Sequence, residues 1–278
     1  MNRKRVSIQG HKGSFHQQAA LHYFGKEAEM IPCSSFRELV KKTENPLEAD
    51  CGLMAIENSI VGSIMNNYTL LQNSNLLITG EIYLSIRQHL MVNKGVRMEE
   101  INEVHSHPVA LLQCMSFLEK FPKWKLVESQ DTAFSAKSIQ QNHSKHIAAI
   151  AGQLAADLFN LDILEYDVQS VKKNYTRFWV LGRGQENKAM GDCNKASIYF
   201  HTEHHRGSLA AILIRMATSG INLSKLQSVP IPGTEWQYGF HADLEFSDLL
   251  QFEEVIIELR KMTQEFRVFG VYKKGETV

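Results

Sequence analysis

The sequence predicts an α/β protein in two parts: an alternating β/α part through residue 182, then a C-terminal α+β part with the ferredoxin-like order βαββαβ. The first part rests on short apolar runs of β character that alternate with segments of helical period. The second rests on the order strand, helix, strand, strand, helix, strand beyond residue 194. Between them, residues 182–194 are rich in Gly, Lys, Glu, Asp and Asn and read as a linker. Domain boundaries are therefore drawn at 1–184, 185–194 and 195–278.

At 278 residues the chain is long enough for one or two full cores, and its 44% apolar and 22% charged content is that of an ordinary globular protein. Thirty basic residues balance thirty acidic ones, so no global field recruits nucleic acid or an anionic membrane, and a small-molecule partner is expected. No apolar run reaches the roughly 20 residues that span a bilayer, and the basic start leads directly into an alternating strand, which predicts a cytoplasmic protein. Cys33, Cys51, Cys114 and Cys193 include no C-x-x-C pair, so neither a disulfide framework nor a zinc site is expected.

Taken in order, Arg5 to Gln9 alternates as a strand, and Gly10-His11-Lys12-Gly13-Ser14 turns into a helix through Ala19, Ala20 and Leu21. Ser14 is its N-cap candidate, and the turn lacks P-loop or G-x-G-x-x-G spacing, which argues against a nucleotide site. A strand near Ala28 to Ile31, a helix from Phe36 to Lys42, and a buried strand from Cys51 to Ile56 follow, the last ending in Glu57-Asn58-Ser59. This alternation implies a largely parallel sheet with ligands at the carboxyl ends of its strands.

A helix over Ser63 to Leu71 leads to two extended segments, Leu76 to Ile82 and Tyr83 to Val92, suited to a crossing between lobes. The strand Glu103 to Ser106 opens a helix at Pro108, whose stripe is Leu111, Cys114, Met115 and Leu118. Gln113 falls on the opposite face. A strand at Lys125 to Val127, an Asp131-Thr132 helix start, a strand at His146 to Ile150, a helix from Gly152 and a strand at Leu161 to Glu165 complete the alternation.

Asn174-Tyr175-Thr176-Arg177-Phe178-Trp179-Val180-Leu181 is a strand whose mouth carries a hydroxyl, an amide and a guanidinium. Thr176 and Phe178 share one face, and Arg177 and Trp179 the other. Beyond the linker the strands are placed at Ser197 to His201, Leu223 to Val229, Tyr238 to Phe246 and Val268 to Tyr272. One helix presents Leu209, Ile212, Leu213 and Met216, and the other Phe252, Val255, Ile256, Leu259 and Met262. His201, His204 and His205 have no carboxylate or Cys cluster at matching spacing and read as a solvated strand end.

Five motifs in this order carry a resemblance: Gly10-x-x-Gly13-Ser14-Phe15 with Ala19-Ala20, Glu57-Asn58-Ser59, Ser106-His107-Pro108-x-Ala110-x-x-Gln113-Cys114, Asp131-Thr132-Ala133, and Asn174-x-Thr176-Arg177-Phe178. Over nearly its whole length the chain resembles the bacterial prephenate dehydratases with a C-terminal ACT regulatory domain, where Gly207-Ser208-Leu209-Ala210 is similar to a Gly-Ala-Leu-Ala signature. Two departures are His11 for a common proline and Gln227-Ser228-Val229-Pro230 for Glu-Ser-Arg-Pro.

The resemblance implies a two-lobed catalytic domain like the periplasmic-binding-protein fold, a homodimer or homotetramer, and conversion of prephenate to phenylpyruvate in phenylalanine biosynthesis. It assigns Thr176 as donor to the leaving hydroxyl, with Asn58, Ser106, Gln113 and Glu57 as further catalytic candidates. Phe178, Thr132, Ser14, Ser59 and Arg177 are the substrate-binding candidates. An L-phenylalanine effector is expected near Gly207, Ser208, Leu209, Ala210, Asn222 and Leu223. The chemistry requires no metal or redox cofactor, since prephenate is poised to aromatise. Arogenate as substrate, and a non-catalytic amino-acid-sensing module, are the alternatives; association with a separate chorismate mutase stays open, and the chain shows no segment for a fused one.

Overall fold

A computed structural model describes residues 3–184 and 192–278. The chain divides into two compact units, one of Met1–Asn75, Ile82–Val180 and Glu276–Val278, the other of Leu76–Glu81 and Leu181–Gly275. Residues 185–191 of the predicted linker lie outside the described residues. Asn194, at its end, is tied into the second unit, its backbone carbonyl accepting from Phe246 N at 3.0 Å and its Oδ1 from Lys274 N at 2.7 Å.

The chain begins with β1 (Arg5–Gln9), α1 (Phe15–Phe24), β2 (Glu29–Cys33), α2 (Phe36–Glu44), β3 (Cys51–Asn58), β4 (Gly62–Ser63), α3 (Met65–Gln72) and β5 (Leu77–Ser85). β1 pairs in parallel with β2 and β3, in a sheet of order β2-β1-β3-β11-β5, where β11 is Tyr175–Gly182. Burial is near-continuous along β3, as expected of a strand covered on both faces. Val6, Ile8, Leu53, Leu84, Phe178 and Val180 form the core under α1. Ser14 caps α1 by accepting from Gln17 N, and Ser35 caps α2 from Glu38 N.

The second sheet is built from β6 (His89–Val92), β7 (Glu103–Ser106), β8 (Lys125–Glu128), β9 (Ile147–Ala151) and β10 (Asp162–Glu165), in the order β10-β6-β9-β7-β8. Its helices are α4 (Pro108–Gln113), α5 (Met115–Leu118), α6 (Thr132–Gln141) and α7 (Gln153–Phe159). The alternating elements are thus divided between two sheets, and the largely parallel pairing expected of them is interrupted at β6, which runs antiparallel to both β9 and β10. The chain crosses between the sheets twice, and the crossings bind each other: Val168 N donates to Gln88 O at 2.8 Å, Gln88 N to Gln169 Oε1 at 2.9 Å, and Ile86 N to Asn174 O at 2.8 Å.

One predicted helix is two. At Cys114 the backbone turns (φ −104, ψ 8) between α4 and α5, yet Leu111, Cys114 and Leu118 remain buried while Met115 is half-exposed. The stripe survives because a one-residue turn does not break its spacing.

The second unit contains β12 (Lys195–His201), α8 (Ser208–Thr218), β13 (Asn222–Pro230), β14 (Tyr238–Glu245), α9 (Leu249–Lys261) and β15 (Glu265–Tyr272). The order βαββαβ and the antiparallel sheet β13-β14-β12-β15 follow the predicted pattern. Both helices press Ile212, Met216, Phe252, Val255 and Leu259 onto Ala196, Ile198 and Phe200. Met262, expected on that stripe, is exposed at the end of α9.

The other face of β12 is polar and buried, which its alternation does not announce. Lys195 Nζ meets Glu81 Oε1 at 2.8 Å, and Ser197 Oγ bonds Asp243 Oδ1 at 2.5 Å and the Tyr272 hydroxyl at 2.6 Å. Burying these groups is tolerable only because each is paired. Among the described residues no helix is long and apolar enough to cross a membrane.

Candidate active site

The carboxyl end of β3 and the start of β11 are fastened by polar side chains. Asn58 Oδ1 accepts from the backbone N–H groups of Ile60 and Val61 at 3.0 and 3.1 Å, which turns the chain out of β3. Its Nδ2 donates to Asn174 Oδ1 at 2.7 Å, Thr176 Oγ1 at 3.1 Å and Tyr175 O at 3.2 Å. Ser59 completes a reciprocal clamp: Ser59 N donates to Tyr175 O at 2.8 Å, and Tyr175 N to Ser59 Oγ at 2.9 Å. From the second sheet, Gln113 at the end of α4 reaches the same group, its Oε1 accepting from Asn174 Nδ2 at 3.1 Å. Asn58, Ser59, Gln113 and Thr176 are therefore brought together.

Ser106 ends β7 fully buried, with its hydroxyl donating to Ile150 O at 2.6 Å. Ser14 and Thr132 stand at the N-termini of α1 and α6, where backbone N–H groups favour anions. These two starts meet, because the glycine turn before α1 packs on the second sheet's helices. A Cβ on Gly13, at φ +92, would lie 3.1 Å from the Ala155 Cα, and one on Gly10 would lie 2.7 Å from the Asp131 carboxylate that caps α6. Glu57 is half-buried beside Asn58, opposite Ser63 in register.

Phe178 does lie on the strand face of Thr176 but is sunk in the core at 1% exposure, edge-on to His16 with centroids 5.0 Å apart. Arg177, on the opposite face, is buried over the rings of Tyr83 and Trp179 at 5.8 and 5.6 Å and is not brought to the cluster.

Two residues outside the sequence-based candidates, Asn174 and His16, belong to these surroundings. Asn174 was visible in the motif but carries no chemistry of its own; fully buried, it joins Asn58 to Gln113. His16 sits two residues after Ser14, its Nε2 accepting from Ala55 N at 3.4 Å, and burial pushes its pKa down to about 3. The imidazole is neutral near pH 7, which adds no charge beneath the cluster. Beside Gln113, burial pushes the Cys114 thiol up to about 12, so it is no nucleophile.

In the second unit, Ser208 and Leu209 line a cavity of about 300 Å³ together with His201, Ser228, Tyr238 and Phe240. Gly207, at φ 87, opens α8. Ala210 is exposed on the same helix. Asn222 and Leu223 lie at the start of β13, paired with Glu245 and Leu244. In the Gln227-Ser228-Val229-Pro230 segment, Val229 is buried and Gln227 Nε2 donates to Ser228 O at 3.0 Å.

The prephenate dehydratase family model matches residues 6–186. The bifunctional chorismate mutase/prephenate dehydratase of Enterobacter agglomerans is 31% identical over 99% of this chain and 72% of its own length. The chloroplastic arogenate dehydratase/prephenate dehydratase 2 of Arabidopsis thaliana is 35% identical over 100% of this chain and 74% of its own length. Among solved structures, GqqA, described as a novel type of quorum quenching acylase, superposes with a TM-score of 0.88 at 25% identity, covering 98% of each chain. The prephenate dehydratase of Arthrobacter aurescens in complex with L-Phe superposes with a TM-score of 0.87 at 24% identity, over 97% of this chain and 90% of that one.

Proposed function

The chain belongs to the prephenate dehydratase family and is a carbon–oxygen lyase that takes water and carbon dioxide from prephenate, and we propose that it does so at the cluster of Asn58, Thr176 and Gln113. The observation that carries the placement is the hydrogen bond from Asn58 Nδ2 to Thr176 Oγ1 at 3.1 Å. It engages a lone pair of the hydroxyl and leaves the O–H to donate.

In the reaction the bond from the ring to its carboxylate breaks, its electron pair enters the ring, and hydroxide leaves from the opposite carbon as the ring becomes aromatic. Carbon dioxide departs, and the hydroxide takes a proton to become water. Thr176 is too weak an acid to surrender its proton outright, so its part is a charge-assisted hydrogen bond to the developing hydroxide, with solvent completing the transfer. Gln113 and the helix starts at Ser14 and Thr132 suit the two substrate carboxylates. Ser59 clamps β11, Phe178 supports Thr176 from the core, and Ser106 holds the end of β7. Glu57 positions its neighbours, since an ionised carboxylate against a dianion repels it. Arg177 is read as a packing residue of β11.

We further read residues 1–184 as a two-lobed catalytic domain of periplasmic-binding-protein type, supported by the two sheets and their paired crossings. Residues 195–278 are read as an ACT regulatory domain, supported by the βαββαβ order and the strand order β13-β14-β12-β15. L-Phenylalanine is its effector, with the cavity at Ser208, Leu209 and Ser228 as part of the site and a homo-oligomer as the working form. The Arthrobacter relative's complex with L-Phe supports this reading.

Purified protein assayed with prephenate and with arogenate tests the proposal. Preferential formation of phenylpyruvate from prephenate is expected. Turnover of arogenate alone would reassign the substrate, and turnover of neither alongside phenylalanine binding would make the chain a sensor.

A further inference from the structure

We propose that Asn174 is a positioning residue that carries the hydrogen-bond polarity of Asn58 across to Gln113, so that Gln113 offers its NH₂ to the substrate. The inference rests on the placement of prephenate turnover at this cluster.

A carboxamide has a donor end and an acceptor end, and backbone groups reveal which is which because an N–H only donates and a C=O only accepts. Two backbone N–H groups, of Ile60 and Val61, meet one end of the Asn58 amide, and the Tyr175 carbonyl meets the other. The main chain therefore fixes Asn58, with oxygen toward residues 60–61 and nitrogen toward β11. That nitrogen is 2.7 Å from Asn174, which must answer with its oxygen. The Asn174 nitrogen is then left to face Gln113 at 3.1 Å, which must answer with Oε1. Each link admits one orientation, and the last turns the Gln113 NH₂ away from Asn174. On the other branch, Asn58 Nδ2 occupies a lone pair of Thr176 Oγ1 at 3.1 Å.

Both branches thus terminate in donors. A substrate that brings two carboxylates and releases hydroxide offers only acceptors, and donors fixed before binding need no reorganisation during reaction. Asn174 touches none of this directly: it is fully buried, and its backbone carbonyl is held by Ile86 N at 2.8 Å on the crossing between the sheets. It joins an amide of the first sheet to one of the second, where a reversed amide would reverse the Gln113 output.

Asn174→Asp keeps the shape and still accepts from Asn58, but cannot donate to Gln113, whose amide must turn over and present oxygen outward. The expected result is an unchanged fold by circular dichroism and a prephenate KM raised about tenfold or more, the size of one hydrogen bond to a charged group. Turnover at saturation should stay within about threefold, because the Asn58–Thr176 branch is intact. In a Gln113→Leu background the same change should move KM by less than about twofold, since no amide remains to be turned. An unaltered KM in Asn174→Asp overturns the proposal, and so does an equal KM rise in both backgrounds, which assigns the loss to the added charge. If Asn174→Asp does not fold, Asn174→Ala takes its place, because it adds no charge and leaves the Gln113 amide without the partner that fixes it: a KM raised in the unmodified background but not in Gln113→Leu supports the proposal, and an unaltered KM or an equal rise in both overturns it. A KM for Gln113→Leu equal to that of the unmodified enzyme removes Gln113 from the site and overturns the reading beneath the proposal together with it.

Discussion

Thr176 carries the sharpest expectation at the scale of single residues. Thr176→Ala should leave folding and KM little changed and lower kcat roughly 10²-fold or more, on the scale of losing one oxyanion-type donor. Steady-state kinetics on a variant with an unaltered melting curve decides it, and an unchanged kcat removes Thr176 from the mechanism. His16 makes a different prediction. Burial depresses its pKa from the ordinary 6.5 to about 3, so as pH falls the unfolded chain takes up this proton first. The stability it contributes is complete above its unfolded pKa and is lost progressively as pH falls toward the folded one. Burial lowers His89 and His241 in the same direction. Melting temperature should therefore drop between about pH 7 and about pH 5, and His16→Gln should make the drop shallower. An identical slope in the variant would show that His16 is not held neutral. At this scale the sequence set the Thr176 hydroxyl and the Asn58 amide at strand mouths and was silent on the surroundings of Asn174 and His16, because their hydrogen-bond partners lie far away in the chain.

Elements were legible wherever burial follows a period. β1, α1, β3 and α6 stand close to their expected positions because alternation and capping are local: Ser14 and Asp131 accept from backbone N–H groups three residues ahead. The break at Cys114 was not legible, since the apolar stripe continues across it. Nor was the antiparallel pairing of β6, because a short buried strand such as His89–Val92 has no alternation to reveal its direction. The glycine turn before α1 gives this scale its test. Gly13→Ala meets both a positive φ and the backbone of α7, and should cost about 1–2 kcal/mol or more in denaturant unfolding. A loss below about 0.5 kcal/mol would mean that the turn shifts away from Ala155 at little cost.

For the whole molecule, the expectation concerns control. Phenylalanine should bind the second unit yet inhibit less tightly than in relatives with the full Glu-Ser-Arg-Pro segment. Gln227 and Val229 replace a negative and a positive charge, and Val229 is buried, so this segment of β13 packs without an ion pair at those positions. Ser228 nonetheless lines the cavity beside Ser208 and Leu209, which keeps polar and backbone groups available to a zwitterion. The coupling free energy should fall below the typical ~1–3 kcal/mol without abolishing binding. Activity titrated against phenylalanine alongside calorimetry measures both: tight binding with strong inhibition would defeat the expectation, and no binding would mean another effector.

By itself the sequence determined that β and α segments alternate, that a βαββαβ unit follows, and that Asn58 and Thr176 stand at strand mouths, since local period and punctuation suffice for each. Tertiary structure alone decided that Phe178 is sunk in the core, that Arg177 lies over the rings of Tyr83 and Trp179, and that Lys195 finds Glu81 in the interior. The direction of the amide network belongs with these. An isolated carboxamide has no preferred polarity, and Asn58 acquires one only when folding sets the backbone of Ile60 and Val61 on one end and Tyr175, more than a hundred residues away, on the other.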